Sequence, residues 1–231
     1  IMQLSESTLD VLRNFAGINQ NLLINPGSTI KTISEAKNVV ATADITESFN
    51  KGFGIYDLNE FIGVLGLVNN PSLKFDNDFV VVQDESGRSK VKYFYAAEET
   101  VTTPTKVVTM PDPEVKFSLD NDTLNKLKKA AATLGHDELL ISAKDGVLTL
   151  SIVENQNATS NAFSIDVDGE FAQDAVFNFI IKISNLKSLL AGDYDVEISS
   201  RLITQFKHKE VGVKYWIALE KTSTYGAWHV R

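Results

Sequence analysis

Two stretches of the chain place leucines at the same helical intervals. Leu4, Thr8, Leu9 and Leu12 are spaced like Leu119, Thr123, Leu124 and Leu127, and apolar positions three and four apart mark one face of an α-helix. The first stretch predicts a helix capped by Ser5 or Ser7 and ended by Gly17 and Asn19, with Leu9, Leu12 and Phe15 on its buried stripe. The second predicts a helix capped by Asp120 and running to Leu134. A further pair repeats the design, because residues 55–68 and 181–190 each pass from a short apolar strand straight into a leucine-bearing helix. The pattern reads as one domain plan used twice.

The pieces between these helices are β-rich. Residues 21–24, 29–33 and 39–45 are separated by turn signals such as Pro26-Gly27 and read as a meander. Residues 53–56 read as a strand, after which Asp57 and Glu60 have capping-box spacing for a helix that ends near Asn69, Asn70 and Pro71. Strands follow at 73–75, 79–83 and 91–96. From 98 to 113 threonine, valine and the prolines Pro104, Pro111 and Pro113 predict an extended linker without helix. Beyond it, strands are expected at 138–142 and 147–153 around the turn Lys144-Asp145-Gly146, then at 163–167 and 176–183. Ser184 is expected to cap a short helix to Ala191, with Gly192 ending it, before strands at 194–199, 202–207 and 213–219. The fold class is therefore α+β, in two similar domains of mostly antiparallel sheet with two helices each. Their expected extents are 1–112, including the linker at about 98–113, and 113–231. Each helix lays its leucine face on a sheet and leaves the other face free.

Composition narrows what the free faces do. The chain has 231 residues, 43% hydrophobic and 23% charged, which is the range of globular domains rather than of disordered chains. Zero cysteines exclude a disulfide framework, thiolate zinc sites and thiol catalysis, and fit a reducing cytoplasm. No apolar run approaches the ~18 residues of a membrane span and no leader pattern precedes the first helix, so a soluble protein is expected, with Met2 as its natural start. A net charge of −8 argues against a broadly basic nucleic-acid binder. An acidic body with lysines gathered on one surface repels polyanions everywhere except there.

At about 100° per residue, Leu124, Leu127, Ala131 and Leu134 share one side of the third helix, and Asp122, Lys126, Lys129 and Thr133 the other. Lys187 lies off the leucine stripe of the fourth helix, Arg13 lies at the margin of the first, and Asn14 faces out. For one helix alone an ordinary solvated face accounts for such residues; their recurrence across a repeat gives them interest. The second helix presents Asn59, Gly63 and Leu67, with no basic residue. Such surfaces supply a few non-specific phosphate contacts and no arginine set for reading bases.

Other chemistry is sparse. His136, His208 and His229 lack metal-ligand spacing and read as surface or turn residues. Asp166 and Asp168 share a strand face, an arrangement open to acid/base work, but also that of ordinary exposed aspartates. Glycine-rich phosphate loops, GxSxG and HExxH are absent from the sequence. No catalytic residue, metal or cofactor is assigned. The aromatics Tyr215, Trp216, Tyr225 and Trp228, with Val107, Val108 and Met110 of the linker, either line a groove for a partner's peptide or plug the ends of the sheets.

These residues resemble the sliding clamps, the polymerase processivity factors, and most closely those of T-even-type bacteriophages. The likeness is carried by Met2-Gln3-Leu4-Ser5 with Asn14-Phe15-Ala16, by Ile55-Tyr56-Asp57-Leu58-Asn59 through Gly63 to Leu67-Val68-Asn69, by Phe177-Asn178-Phe179-Ile180-Ile181, and by Tyr215 with Ala218-Leu219-Glu220. The resemblance implies a homotrimer of two-domain subunits closed head to tail, with helices lining a hole through which duplex DNA passes. It also implies a protein of the infected bacterial host's cytoplasm, without catalysis, whose partners are the replicative polymerase, the clamp loader and late-transcription factors. By position, Lys129 and Lys187 match channel lysines of the family. Lys126 and Arg13 are their expected neighbours, and Ala132 stands where a basic residue is expected. Val107, Met110 and Leu219 are the residues assigned to a pocket for partner tail peptides. The alternative is a phage assembly module of duplicated sheets that does not bind DNA.

Overall fold

The computed structural model describes residues 1–154 and 156–226, and the chain divides into two compact units, Ile1–Val107 and Val108–Arg231. In the first, Ser5 starts helix α1 (Glu6–Ala16) by accepting from the Thr8 N–H at 3.2 Å. Glu47 completes this cap, accepting from the Ser5 N–H at 2.6 Å and from the Thr8 hydroxyl. Burial pushes the Glu47 carboxyl up, but these hydrogen bonds outweigh it and hold it below its ordinary value. Val11, Leu12 and Phe15 are the buried apolar residues of α1, whereas Leu9 is only half-buried.

The strands that follow are β1 (Leu22–Ile24), β2 (Gly27–Ile33), β3 (Val39–Phe49) and β4 (Phe53–Ile55). They do not form the expected meander. β2 and β3 make a hairpin, but β1 pairs antiparallel with β4, Leu23 opposite Gly54. Gly54 has a physical reason to be glycine there, since a Cβ would lie 2.6 Å from the Ala96 carbonyl oxygen. Helix α2 (Leu58–Leu65) begins at Asp57, which accepts from Glu60 N–H at 3.1 Å. It ends at Gly66, well before Asn69, because Gly63 and Gly66 weaken a helix that has little left to bury. β5 (Ser72–Phe75), β6 (Phe79–Gln83) and β7 (Lys90–Phe94) close the unit as an antiparallel sheet in that order.

The second unit repeats this plan with a longer first helix, 14 residues against 11, and a shorter second one, four against eight. β8 (Val115–Leu119) precedes α3 (Asn121–Leu134), followed by β9 (Glu138–Lys144), β10 (Val147–Val153), β11 (Phe163–Val167), the two-residue β12 (Gly169–Glu170) and β13 (Phe177–Lys182). Then come α4 (Ile183–Leu186), β14 (Tyr194–Ser199), β15 (Ile203–His208), β16 (Val213–Ala218) and the short β17 (Thr224–Tyr225). β9 pairs with β13 as β1 pairs with β4, and β14, β15 and β16 run in sequence order as β5, β6 and β7 do. The β8–β14 ladder has as its counterpart the single Met2–Leu73 bridge. Sequence periodicity missed β8, β12 and β17; the last two are only two residues long.

Turn chemistry fixes the β9–β10 register. Asp145 and Gly146 both have positive φ, 53° and 77°, as a two-residue hairpin turn requires, and Lys144 then faces Val147. Leu139, Ile141, Leu148, Leu150 and Ile152 are buried in this hairpin, and on β13 Phe179 lies opposite Ile141 and Phe177 opposite Ala143. The two phenylalanine rings stack at 5.0 Å. Each of these buried side chains contributes about 1.5 to 3 kcal/mol of transfer free energy. α4 departs from expectation. It has four residues, starts after Lys182 without a side-chain cap, and contains Ser184 instead of being capped by it. The Lys187 N–H, three residues on and thus the donor a cap at Ser184 would satisfy, already bonds the Ile183 carbonyl at 3.3 Å.

Candidate nucleic-acid interface

α3 is anchored at both ends. Asp120 accepts from the Thr123 N–H at 2.7 Å, and that backbone hydrogen bond, then the Thr123 hydroxyl and the nearby Lys126 charge, hold its carboxyl below the ordinary range. Asp193 accepts from the Asn121 N–H at 2.8 Å, and Asn121 Oδ1 accepts from Gly192 N–H at 2.9 Å, which ties the helix start to the turn before β14. Gly135 ends the helix. With Leu124, Leu127 and Ala131 buried, Lys126 and Lys129 stand exposed on the opposite side, as the spacing predicts.

Lys187 caps the C-terminal end of α4, where a cation suits the helix dipole, and is exposed. Across from it lies a residue that the helical wheel passed over. Lys128 is half-buried between the inward and outward faces of α3; burial, and after it the charge of Lys187, pull its ammonium below the ordinary lysine range. The repeat carried a usable signal, since Lys128 stands one step beyond Leu127 as Arg13 does beyond Leu12.

These cations carry uncompensated charge, as do other surface lysines such as Lys31, Lys74, Lys90 and Lys92. Among the described residues Lys126, Lys128, Lys129 and Lys187 form no ion pair, whereas Lys116 pairs with Glu197, Lys182 with Asp137 and Glu138, and Lys209 with Asp195. Arg13 is exposed, but it lies 3.0 Å from Asp10 and 3.8 Å from Glu6. Its neighbour Asn14 is half-buried and does not face out. The structure thus brings Lys187 to α3, while Arg13 sits in the other unit with its charge locally compensated.

The remaining candidates are dispersed. Val107 is 84% exposed, Met110 half-buried and Leu219 5% exposed, so the three differ sharply in access. Met110 lines a surface depression with Pro111, Glu114 and Arg201 that includes neither of the other two. His208 corrects the surface expectation. Its ring is buried, Nδ1 accepts from the Glu210 and Val211 N–H groups at 3.0 and 3.2 Å, and Nε2 donates to the Ala191 carbonyl at 2.9 Å. His136 is half-buried beside the Asn161 carbonyl; His229 and Trp228 lie outside the described residues. Tyr215 is buried and its hydroxyl accepts from Leu190 N–H, while Trp216 donates to Gln205. Asp166 is exposed on β11 and accepts from Thr149 at 2.9 Å, and Asp168 is exposed just past the strand, so no cleft joins them for acid/base work. Among the described residues no cluster of histidine and carboxylates has metal-binding geometry, and no helix is long and apolar enough to cross a membrane.

The sliding clamp of Vibrio phage KVP40 is 37% identical to this chain over 224 residues, covering 95% of it and 99% of the phage protein. The chain belongs to the sliding clamp family. The sliding clamp of Escherichia phage RB69 is 29% identical over 97% of this chain and 99% of its own length. Residues 116–221 match the family model described as gp45 sliding clamp, C terminal. The crystal structure of Proliferating Cellular Nuclear Antigen from Entamoeba histolytica superposes with a TM-score of 0.66 at 14% identity, covering 92% of this chain and 94% of that one. This clamp therefore shares the fold of that antigen, although few residues are common to both.

Proposed function

We propose that this clamp closes as a ring of three copies around duplex DNA and tethers a replicative polymerase, without catalysis of its own, in the cytoplasm of the infected bacterial host. The observation that carries the reading is the lysine set on α3 and α4, free of ion pairs among the described residues, on a chain of net charge −8. A threaded ring is held by topology, so weak phosphate contacts suffice and tight ones slow its sliding. The acidic remainder discourages DNA outside the hole. Lys126, Lys129 and Lys187 are assigned to the channel wall, with Arg13 a weaker member because Glu6 and Asp10 already compensate it. Polymerase, clamp loader and late-transcription factors are the partners of this reading, with Val107, Met110 and Leu219 proposed for their tail peptides.

Free sheet edges support head-to-tail closure. β7 and β11 are both edge strands of their sheets, with unpaired backbone groups on one side. β7 exposes Lys90, Lys92 and Phe94, whereas β11 exposes Ser164 and Asp166. Pairing β7 of one copy with β11 of the next joins opposite charges and removes both edges. Sedimentation at micromolar concentration is expected to give three times the 25.5 kDa chain mass, and Lys92→Glu to shift the distribution toward monomer. A strictly monomeric wild-type chain contradicts the reading.

A further inference from the structure

The register that relates the two halves sets Arg13 against Lys128, each one step past the last leucine of the repeated pattern. In α1 two carboxylates compensate the cation, Asp10 at 3.0 Å and Glu6 at 3.8 Å from Arg13. The same register puts Asn121 at the position of Glu6 and Asn125 at that of Asp10. Both counter-charges have become neutral amides. Asn121 is in any case engaged elsewhere, its Oδ1 accepting from Gly192 N–H at 2.9 Å, and Asn125 is exposed.

Lys128 also differs from its counterpart in setting. It lines a depression between α3 and α4 together with Ala131, Ala132, His136, Asp137, Ile183 and Lys187. Two ammonium groups share this small hollow with a single exposed carboxylate, Asp137, an excess of positive charge that an entering anion offsets. Of the polar groups lining it, Asp137 pairs with Lys182 at 3.5 Å and His136 bonds the Asn161 carbonyl at 2.7 Å. Ala132 leaves the entrance short-walled, so a group of phosphate size can approach both amines.

We propose that Lys128 and Lys187 together seat one backbone phosphate of a DNA duplex, and that the second unit supplies the larger share of the duplex contact, α1 being self-compensated. The proposal rests on the clamp reading and deepens it, dividing the grip unequally between two halves of one plan. A phosphate held by two amines in a partly desolvated hollow is worth more than one touched by a fully solvated lysine.

The test is fluorescence anisotropy of a labelled DNA duplex with the full chain across a range of salt concentrations. Lys128→Gln is expected to weaken binding by about tenfold at low salt, and to flatten the slope of log affinity against log salt by about 0.9 for each seat engaged. Arg13→Gln is expected to weaken binding only about twofold, well short of the Lys128→Gln loss. Asn125→Asp restores the missing counter-charge at an exposed position while leaving Lys128 in place, and is expected to weaken binding several-fold; this controls for any folding defect in Lys128→Gln. Wild-type binding with Lys128→Gln and Asn125→Asp indistinguishable from it, or an Arg13→Gln loss as large as that of Lys128→Gln, overturns the seat and leaves the clamp reading standing. A wild-type chain with no affinity for duplex at low salt overturns both.

Discussion

Changing Lys126, Lys129 and Lys187 together to glutamate is expected to shorten the DNA copied per polymerase binding event by on the order of tenfold or more, while sedimentation still finds the trimer. All three side chains are exposed and none forms an ion pair with a described residue, so no ion pair is lost on substitution. Surface changes of this kind move folding stability by only about 0.5 kcal/mol each. Their effect on DNA is much larger, because each reversal removes an attraction to phosphate and adds a repulsion. On a chain already at −8, three reversals bring the net charge of each copy to about −14. The measurement is product length on a primed template with a trap for released polymerase. Wild-type lengths from a variant that still loads remove these residues from the account.

Gly192→Ala is expected to cost about 3 to 5 kcal/mol of folding stability, far more than a typical loop substitution. Gly192 has φ +142°, a region that side chains rarely adopt, and a Cβ there lands 2.1 Å from His208 Nε2. The ring cannot step aside. It is pinned by the Ala191 carbonyl on one nitrogen and two backbone N–H groups on the other, and it packs edge-on against the buried Tyr194 ring at 5.0 Å. Relief by backbone movement strains the Gly192 N–H to Asn121 bond, which holds the start of α3 and with it the lysine face. Gly27→Ala separates the two causes. Its φ is +113° but nothing lies within 4 Å of an added Cβ, so only the backbone cost of about 1 kcal/mol is expected. Urea denaturation of both variants checks this, and equal losses contradict the role given to His208.

Periodicity was a sound guide wherever one residue type had one structural use. The helices α1 and α3, the caps Ser5, Asp57 and Asp120, and the Asp145-Gly146 turn all describe local physics and are present, although Leu9 and Leu134 of the expected stripes are only half-buried and Leu4 and Leu119 lie outside the helices. Pairing between distant strands was not legible. β1 leaves its neighbour for β4 because the shared plan requires it, and only comparison with β9 and β13 reveals that. Ser184 looked like a cap because serine before an apolar run usually is one, but the Lys187 N–H that such a cap would satisfy already bonds the Ile183 carbonyl. Of the candidate interface, Lys126 and Lys129 followed from the helical wheel, while Lys128 was hidden by treating a helix as two faces. Its margin position becomes important only once α4 brings Lys187 alongside. His208 was misread for a related reason: a histidine in a polar strand end is buried here by a turn whose glycine leaves room for the ring.

Encirclement is the central claim, and topology gives it a direct readout. After loading onto a nicked circular plasmid, the clamp is expected to stay with the DNA through gel filtration in moderate salt, and to be lost when one restriction cut linearises the same plasmid. Equal retention on circular and linear DNA, or none on either after verified loading, contradicts a ring that holds the duplex by surrounding it.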